Sequence, residues 1–116
     1  MVEKKLADIL RNLAAKTRSG EVQWEETEKD DAFQVSFAKS SIVLAAKAID
    51  FRITVYNSNG KLIATATDTD LARVMSDASA LMQETYTLAR HQALKVDSTL
   101  DNTLDELKGD DRDLPF

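Results

Sequence analysis

The chain has no cysteine, one proline, three glycines, one histidine and one tryptophan among its 116 residues. Without cysteine there are no disulfides, no thiolate metal sites, no iron–sulfur clusters and no cysteine nucleophile. A single histidine cannot supply the usual zinc ligand set. No apolar run approaches the roughly 20 residues that span a bilayer. The stretch Met1-Val-Glu-Lys-Lys-Leu-Ala-Asp8 lacks the apolar segment of a signal peptide and carries acidic residues. A cytoplasmic protein with no membrane partner is therefore expected. Also missing are G-x-G-x-x-G, a P-loop, H-E-x-x-H and G-x-S-x-G. The expectation is a non-enzymatic protein with no cofactor and no metal.

Positive charge is scarce as well. The net charge is −5 and the pI about 4.8. Nucleic-acid affinity comes largely from Lys and Arg neutralising phosphates, so a generic nucleic-acid binder is not expected. The imbalance is uneven. Residues 1–20 hold five basic and two acidic side chains, whereas residues 97–116 hold two basic and seven acidic ones. A second acidic segment, residues 21–31, has six acids and one lysine.

What is present is periodicity. Val2, Leu6, Ile9, Leu10 and Leu13 make a narrow apolar stripe at helical spacing, so residues 3–18 read as a helix. Lys16 and Arg18 suit its C-terminal dipole, and Gly20 is a natural stop. Beyond Gly20 the period falls to two. Val22 and Trp24 alternate with polar neighbours, as do Phe33, Val35 and Phe37, then Phe51, Ile53 and Val55. Ile42–Ala46 is apolar on both faces, and Lys61–Thr67 follows a turn at Asn57-Ser-Asn-Gly60. Asn-Gly there predicts a type I′ hairpin. Five strands joined by short loops between two helices predict an α+β domain: an antiparallel meander sheet with helices on one face. Val22, Trp24, Phe33, Val35, Phe37, Ile42, Leu44, Phe51, Ile53, Val55, Leu62 and Ala64 are the expected inward set. The small-residue back face reads as solvent-exposed, or as a dimer or ligand surface.

From Asp70 to Lys108 apolar residues recur every three or four positions without Gly or Pro, predicting one long helix capped by Asp68 or Asp70. At ~1.5 Å per residue it would be roughly 58 Å long, beyond the span of a five-stranded sheet. The stripe is wide from Leu71 to Ala89. It then narrows to Ala93, Val96, Leu100, Leu104 and Leu107, flanked by Asp97, Asp101 and Asp105. A narrow stripe suits packing on one other helix. After a bend within residues 93–99, that helix is the first one of the same chain, or it belongs to a second subunit. These eight residues form the candidate interface, with a homodimer and a basic protein as candidate partners. Residues 1–108 read as one domain and residues 109–116 as an acidic, flexible tail.

Other candidates have plainer readings beside them. His91 faces away from the stripe. Asp68-Thr-Asp70 resembles half a calcium loop, but the Gly and distal Glu are missing. The carboxylates from Glu25 to Asp31 read as a solvated turn. Trp24 is a core residue or a stacking platform, and Tyr86 with Arg90 is surface packing or an anion site. A small-ligand or sensor domain, with its site on the sheet face or near Trp24 and Arg90, is the alternative function.

Leu10-x-x-Leu13, Gly20-Glu-Val-Gln-Trp24, Phe33-x-Val-x-Phe37, Val55-Tyr-Asn-x-x-Gly60 and Ala89-Arg90-x-x-Ala93 together resemble a type of small, uncharacterised bacterial protein with the same helix–strands–long-helix order. The resemblance spans most of the chain and implies a bacterial, cytoplasmic origin. It assigns no activity and no site residues.

Overall fold

Helix α1, Val2–Ser19, opens the fold because Leu6, Ala7, Leu10, Leu13 and Ala14 present one buried face. Its end is a Schellman motif. Gly20 takes φ +76°, its N–H donates to the Thr17 carbonyl, and the Glu21 N–H reaches the Lys16 carbonyl at 2.9 Å. The computed structural model describes residues 2–113.

The sheet has five strands: β1 (Glu25–Glu26), β2 (Ala32–Ser36), β3 (Ser40–Ala46), β4 (Phe51–Asn57) and β5 (Leu62–Thr67). Their spatial order is the chain order and every pairing is antiparallel, so the expected meander is present. One face carries Phe33, Val35, Leu44 and Ile53 into a core shared with α1 and the later helices.

Four local expectations are corrected. Val22 and Trp24 are buried, yet the regular strand begins only at Glu25. The turn at Asn57–Gly60 is not type I′, because only Gly60 has positive φ. Its three-residue loop is tied by Asn57, whose side-chain oxygen accepts from the N–H groups of Asn59 and Lys61. Leu62 is outward rather than inward. A bulge opposite Val55 and Tyr56 pairs Tyr56 with Leu62 and leaves Ile63 unmatched, which shifts β5 to the opposite alternation before Ala64. Phe37, also expected inside, lies just past β2 and is 44% exposed.

The long helix is three pieces. α2 is the single turn Asp68–Leu71, α3 is Ala78–Ala93, and α4 is Val96–Asp113. Neither Asp68 nor Asp70 caps α2; Thr67 does. Its hydroxyl accepts from the Asp70 N–H at 3.1 Å, and the Asp70 carboxylate accepts from the Thr67 N–H at 3.0 Å, a reciprocal capping box. The break over residues 72–77 lets Leu71 and Met75 enter the core while α3 takes its own course across the sheet.

α3 ends at Leu94, and Lys95 then takes φ +54°, with its N–H on the Gln92 carbonyl at 3.2 Å. This is the position Gly20 holds after α1, occupied here by a residue with a Cβ. A left-handed residue turns the chain, so α4 does not continue the line of α3. The bend falls within the expected interval 93–99, two residues before Asp97.

α4 leaves the body of the protein. It packs on α3 near their junction, and every residue from Asp97 to Lys108 is exposed. The molecule measures 66 × 31 × 26 Å with a radius of gyration of 17.5 Å, against about 13 Å for a compact chain of this length. Of the segment 109–116 expected as a tail, residues 109–113 continue α4 and 114–116 lie outside the described residues. Among the described residues no helix is long and apolar enough to cross a membrane.

Candidate functional site

The eight residues of the candidate interface are divided by the bend. Ala93 closes α3 and packs against the core, and Val96 is half-buried at the start of α4. Leu100, Leu104 and Leu107 are 61%, 51% and 56% exposed. At about 100° per residue these three fall within roughly 60° of arc, so they form one seam on the free part of α4. Asp97, Asp101 and Asp105 are all exposed. Their four-residue spacing advances about 40° each step, so the ladder starts beside the seam at Asp97 and winds away from it. Among the described residues α4 packs chiefly on α3, near their junction, which leaves these leucines more than half exposed. Among the described residues the exposed leucines are these three and Leu62.

Trp24 is a core residue. Its indole N–H donates to the Thr17 hydroxyl at 3.0 Å, and its backbone N–H donates to the Gln92 side-chain oxygen at 3.0 Å. Arg90 is exposed in the last turn of α3. Tyr86 wedges between Phe33 and Phe51, with ring centroids 5.6 and 5.5 Å away and tilted planes. Burial and the nearby Asp31 charge push its phenol above the usual tyrosine range, against the opposing pull of Arg90. The ring therefore closes the core beneath α3.

The back face of the sheet is a broad open basin of about 820 Å³. Its floor holds Gln34, Val43, Thr54 and Thr65, with Arg52 and Lys47 toward one end and Tyr56 and Leu62 toward the other. Arg52 donates to the Thr65 hydroxyl at 3.3 Å, and the hydroxyls of Thr54 and Thr65 are 3.0 Å apart. A second, apolar groove of about 270 Å³ runs between α1 and the β2–β3 hairpin. Ile9, Leu13, Phe37 and Ile42 line it, with Lys5, Asp8, Asn12 and Lys16 around the rim. Sequence periodicity missed this groove because it counted Phe37 and Ile9 as ordinary core positions.

His91 and the carboxylates of Glu25, Glu26, Glu28, Asp30 and Asp31 are exposed. Asp68 is buried and structural, accepting the Phe51 N–H at 3.3 Å. Among the described residues no three acidic or histidine side chains converge as metal ligands.

Compared with family models, curated proteins and solved structures, the chain finds no match.

Proposed function

We propose that this is a non-enzymatic, acidic protein-interaction module that works as a cytoplasmic homodimer joined through α4. The exposed seam of Leu100, Leu104 and Leu107, on a helix that stands away from its own domain, carries this reading. Burying three half-exposed leucines against a second copy removes apolar surface that the isolated chain leaves in water, at ~25 cal/mol per Å². The flanking aspartates add long-range attraction for a basic protein surface and repel acidic ones. The acidic α4 also fits a role away from nucleic acid.

Sedimentation equilibrium over a wide concentration range tests the reading. The native chain is expected to dimerise, and Leu100→Asp with Leu104→Asp to sediment as a monomer of unchanged helix content. A native chain that stays strictly monomeric overturns it.

A second reading, a small-ligand domain, has one observation behind it: the back-face basin, with Arg52, Thr54 and Thr65 on its floor and Tyr56 at one end. Thermal-shift measurements with small aryl and alkyl carboxylates, compared with Arg52→Ala, test it. No shift in the native protein removes that reading.

A further inference from the structure

The α4 seam needs an apolar acceptor with positive charge beside it, and the chain carries one. The groove between α1 and the β2–β3 hairpin has an apolar floor of Ile9, Leu13, Phe37 and Ile42, with Lys5 and Lys16 on its rim. The much larger back-face basin is a poorer match. Its floor is polar: the hydroxyls of Thr54 and Thr65 are bonded to each other, Arg52 donates to Thr65, and the Gln34 amide would lose water to leucine without gaining a partner.

We propose that α4 of one copy lies in the α1 groove of a second copy. Leu100, Leu104 and Leu107 would rest on Ile9 and the exposed ring of Phe37, and Asp97 and Asp101 would face Lys5 and Lys16. This rests on the reading of α4 as the dimer interface and names the surface that receives it.

Three observations support the match. The first is apolar: Phe37 is 44% exposed at the groove, and the seam leucines are exposed to a similar degree on α4. The second is charge. Residues 1–20 carry five basic and two acidic side chains, while α4 carries seven acidic and two basic ones, so the two elements attract between copies. On the rim, Asp8 is paired with Arg11 at 3.5 Å and Lys16 with Glu21 at 3.8 Å. The third is length. Lys5 and Lys16 are eleven residues apart, about 16 Å along α1, and the stretch from Asp97 to Leu107 that holds the seam spans about 15 Å of α4. The seam fits between the two lysines, with Asp97 and Asp101 at its edge.

A two-fold arrangement uses the contact twice. Each copy gives one α4 and receives one, so both seams and both grooves are covered at once and no free site remains to propagate a chain of copies. The mode is an amphipathic helix in a groove, with anchors one helical turn apart.

Because the chain has no cysteine, single thiols report geometry cleanly. Thr103 stands at the edge of the seam and Asn12 at the rim of the groove. Asn12→Cys protein mixed with Thr103→Cys protein and mildly oxidised is expected to give a disulfide-linked heterodimer as the main product. Lys5→Glu with Lys16→Glu is expected to weaken dimerisation by roughly tenfold or more, and Asp97→Lys with Asp101→Lys in the same chain to restore it. Self-linking of Thr103→Cys without the mixed product means that α4 pairs with α4, which overturns the groove and leaves the dimer. A chain bearing both thiols that closes on itself at high dilution overturns the second copy as occupant. A strict monomer with no crosslink overturns both readings.

Discussion

The side-chain amide of Gln92 takes the place of a strand partner for Trp24. Its oxygen accepts the Trp24 N–H at 3.0 Å and its nitrogen donates to the Val22 carbonyl at 3.1 Å. One glutamine on α3 thereby satisfies two backbone groups of a buried segment that has left the sheet. Gln92→Leu removes both bonds and strands both groups. The expected cost is about 2–4 kcal/mol by chemical denaturation, with faster hydrogen exchange at the Trp24 amide. Gln92→Glu keeps the acceptor and loses the donor, so its cost should be smaller.

Lys95 carries the strain at the α3–α4 junction. A residue with a Cβ in the left-handed region costs about 1–2 kcal/mol, while glycine there costs roughly 0.5–1 kcal/mol in unfolded-state entropy. Lys95→Gly is therefore expected to be neutral or stabilising by up to about 1 kcal/mol. Lys95→Ile, β-branched at positive φ, should destabilise by at least about 1 kcal/mol. Thermal unfolding of the two variants side by side checks the sign.

Thr67 and Asp70 cap each other. The Thr67 backbone N–H and hydroxyl hold the Asp70 carboxyl below the ordinary aspartate value of 3.8. Thr67→Ala should cost about 1 kcal/mol and let the Asp70 pKa rise toward that value, observable by carbon-detected NMR titration.

Arg18 at the end of α1 grips Glu84 on α3 with two nitrogens, the Nε bond being 3.0 Å. The hydrogen bonds hold the Glu84 carboxyl below the ordinary glutamate value of 4.5. A carboxyl lowered by folding stabilises the native state above its unfolded value, and that contribution is lost as pH falls through the folded one. Relative to the native chain, Glu84→Gln should therefore lose stability at neutral pH and lose less of it from about pH 4.5 downward. Both side chains are half-exposed, so added salt should shrink the difference.

The alternation of Phe33, Val35, Ile42, Leu44 and Ile53 was legible because a sheet with one dry face leaves a period of two in the residues that line it. The helix at α1 was legible for the same kind of reason, with Gly20 marking its end. The bulge at Ile63 was not, since one extra residue in a strand leaves no mark on composition and only the paired register shows it. The breaks in the long helix were hidden in a different way. Residues 72–77 and Leu94–Lys95 contain no Gly or Pro, and tertiary packing overrode their helical propensity. The motif Thr67-Asp-Thr-Asp70 did carry a usable signal, since a hydroxyl followed three residues later by a carboxylate is the pattern of a capping box. In the candidate site the narrowing of the stripe after Ala89 was visible in spacing alone. The groove that faces Ile9 and Phe37 to solvent depends on how α1 sits against a hairpin, which local periodicity does not encode.

The meander order of β1 to β5 also bears on how quickly the chain finds its fold. Each strand pairs with the one just before it, so each closure spans only a short loop and costs little chain entropy. The hairpin at Asn57–Gly60, with its own side-chain-tied turn, can form on the microsecond scale before any helix docks. The slow closures are those that join distant segments: Arg18 with Glu84, 66 residues apart, and Gln92 with Val22, 70 residues apart. Both belong to α3. The rate of folding should then be set by the arrival of α3, with mutations there slowing folding and mutations in α4 altering neither the folding nor the unfolding rate of the monomer.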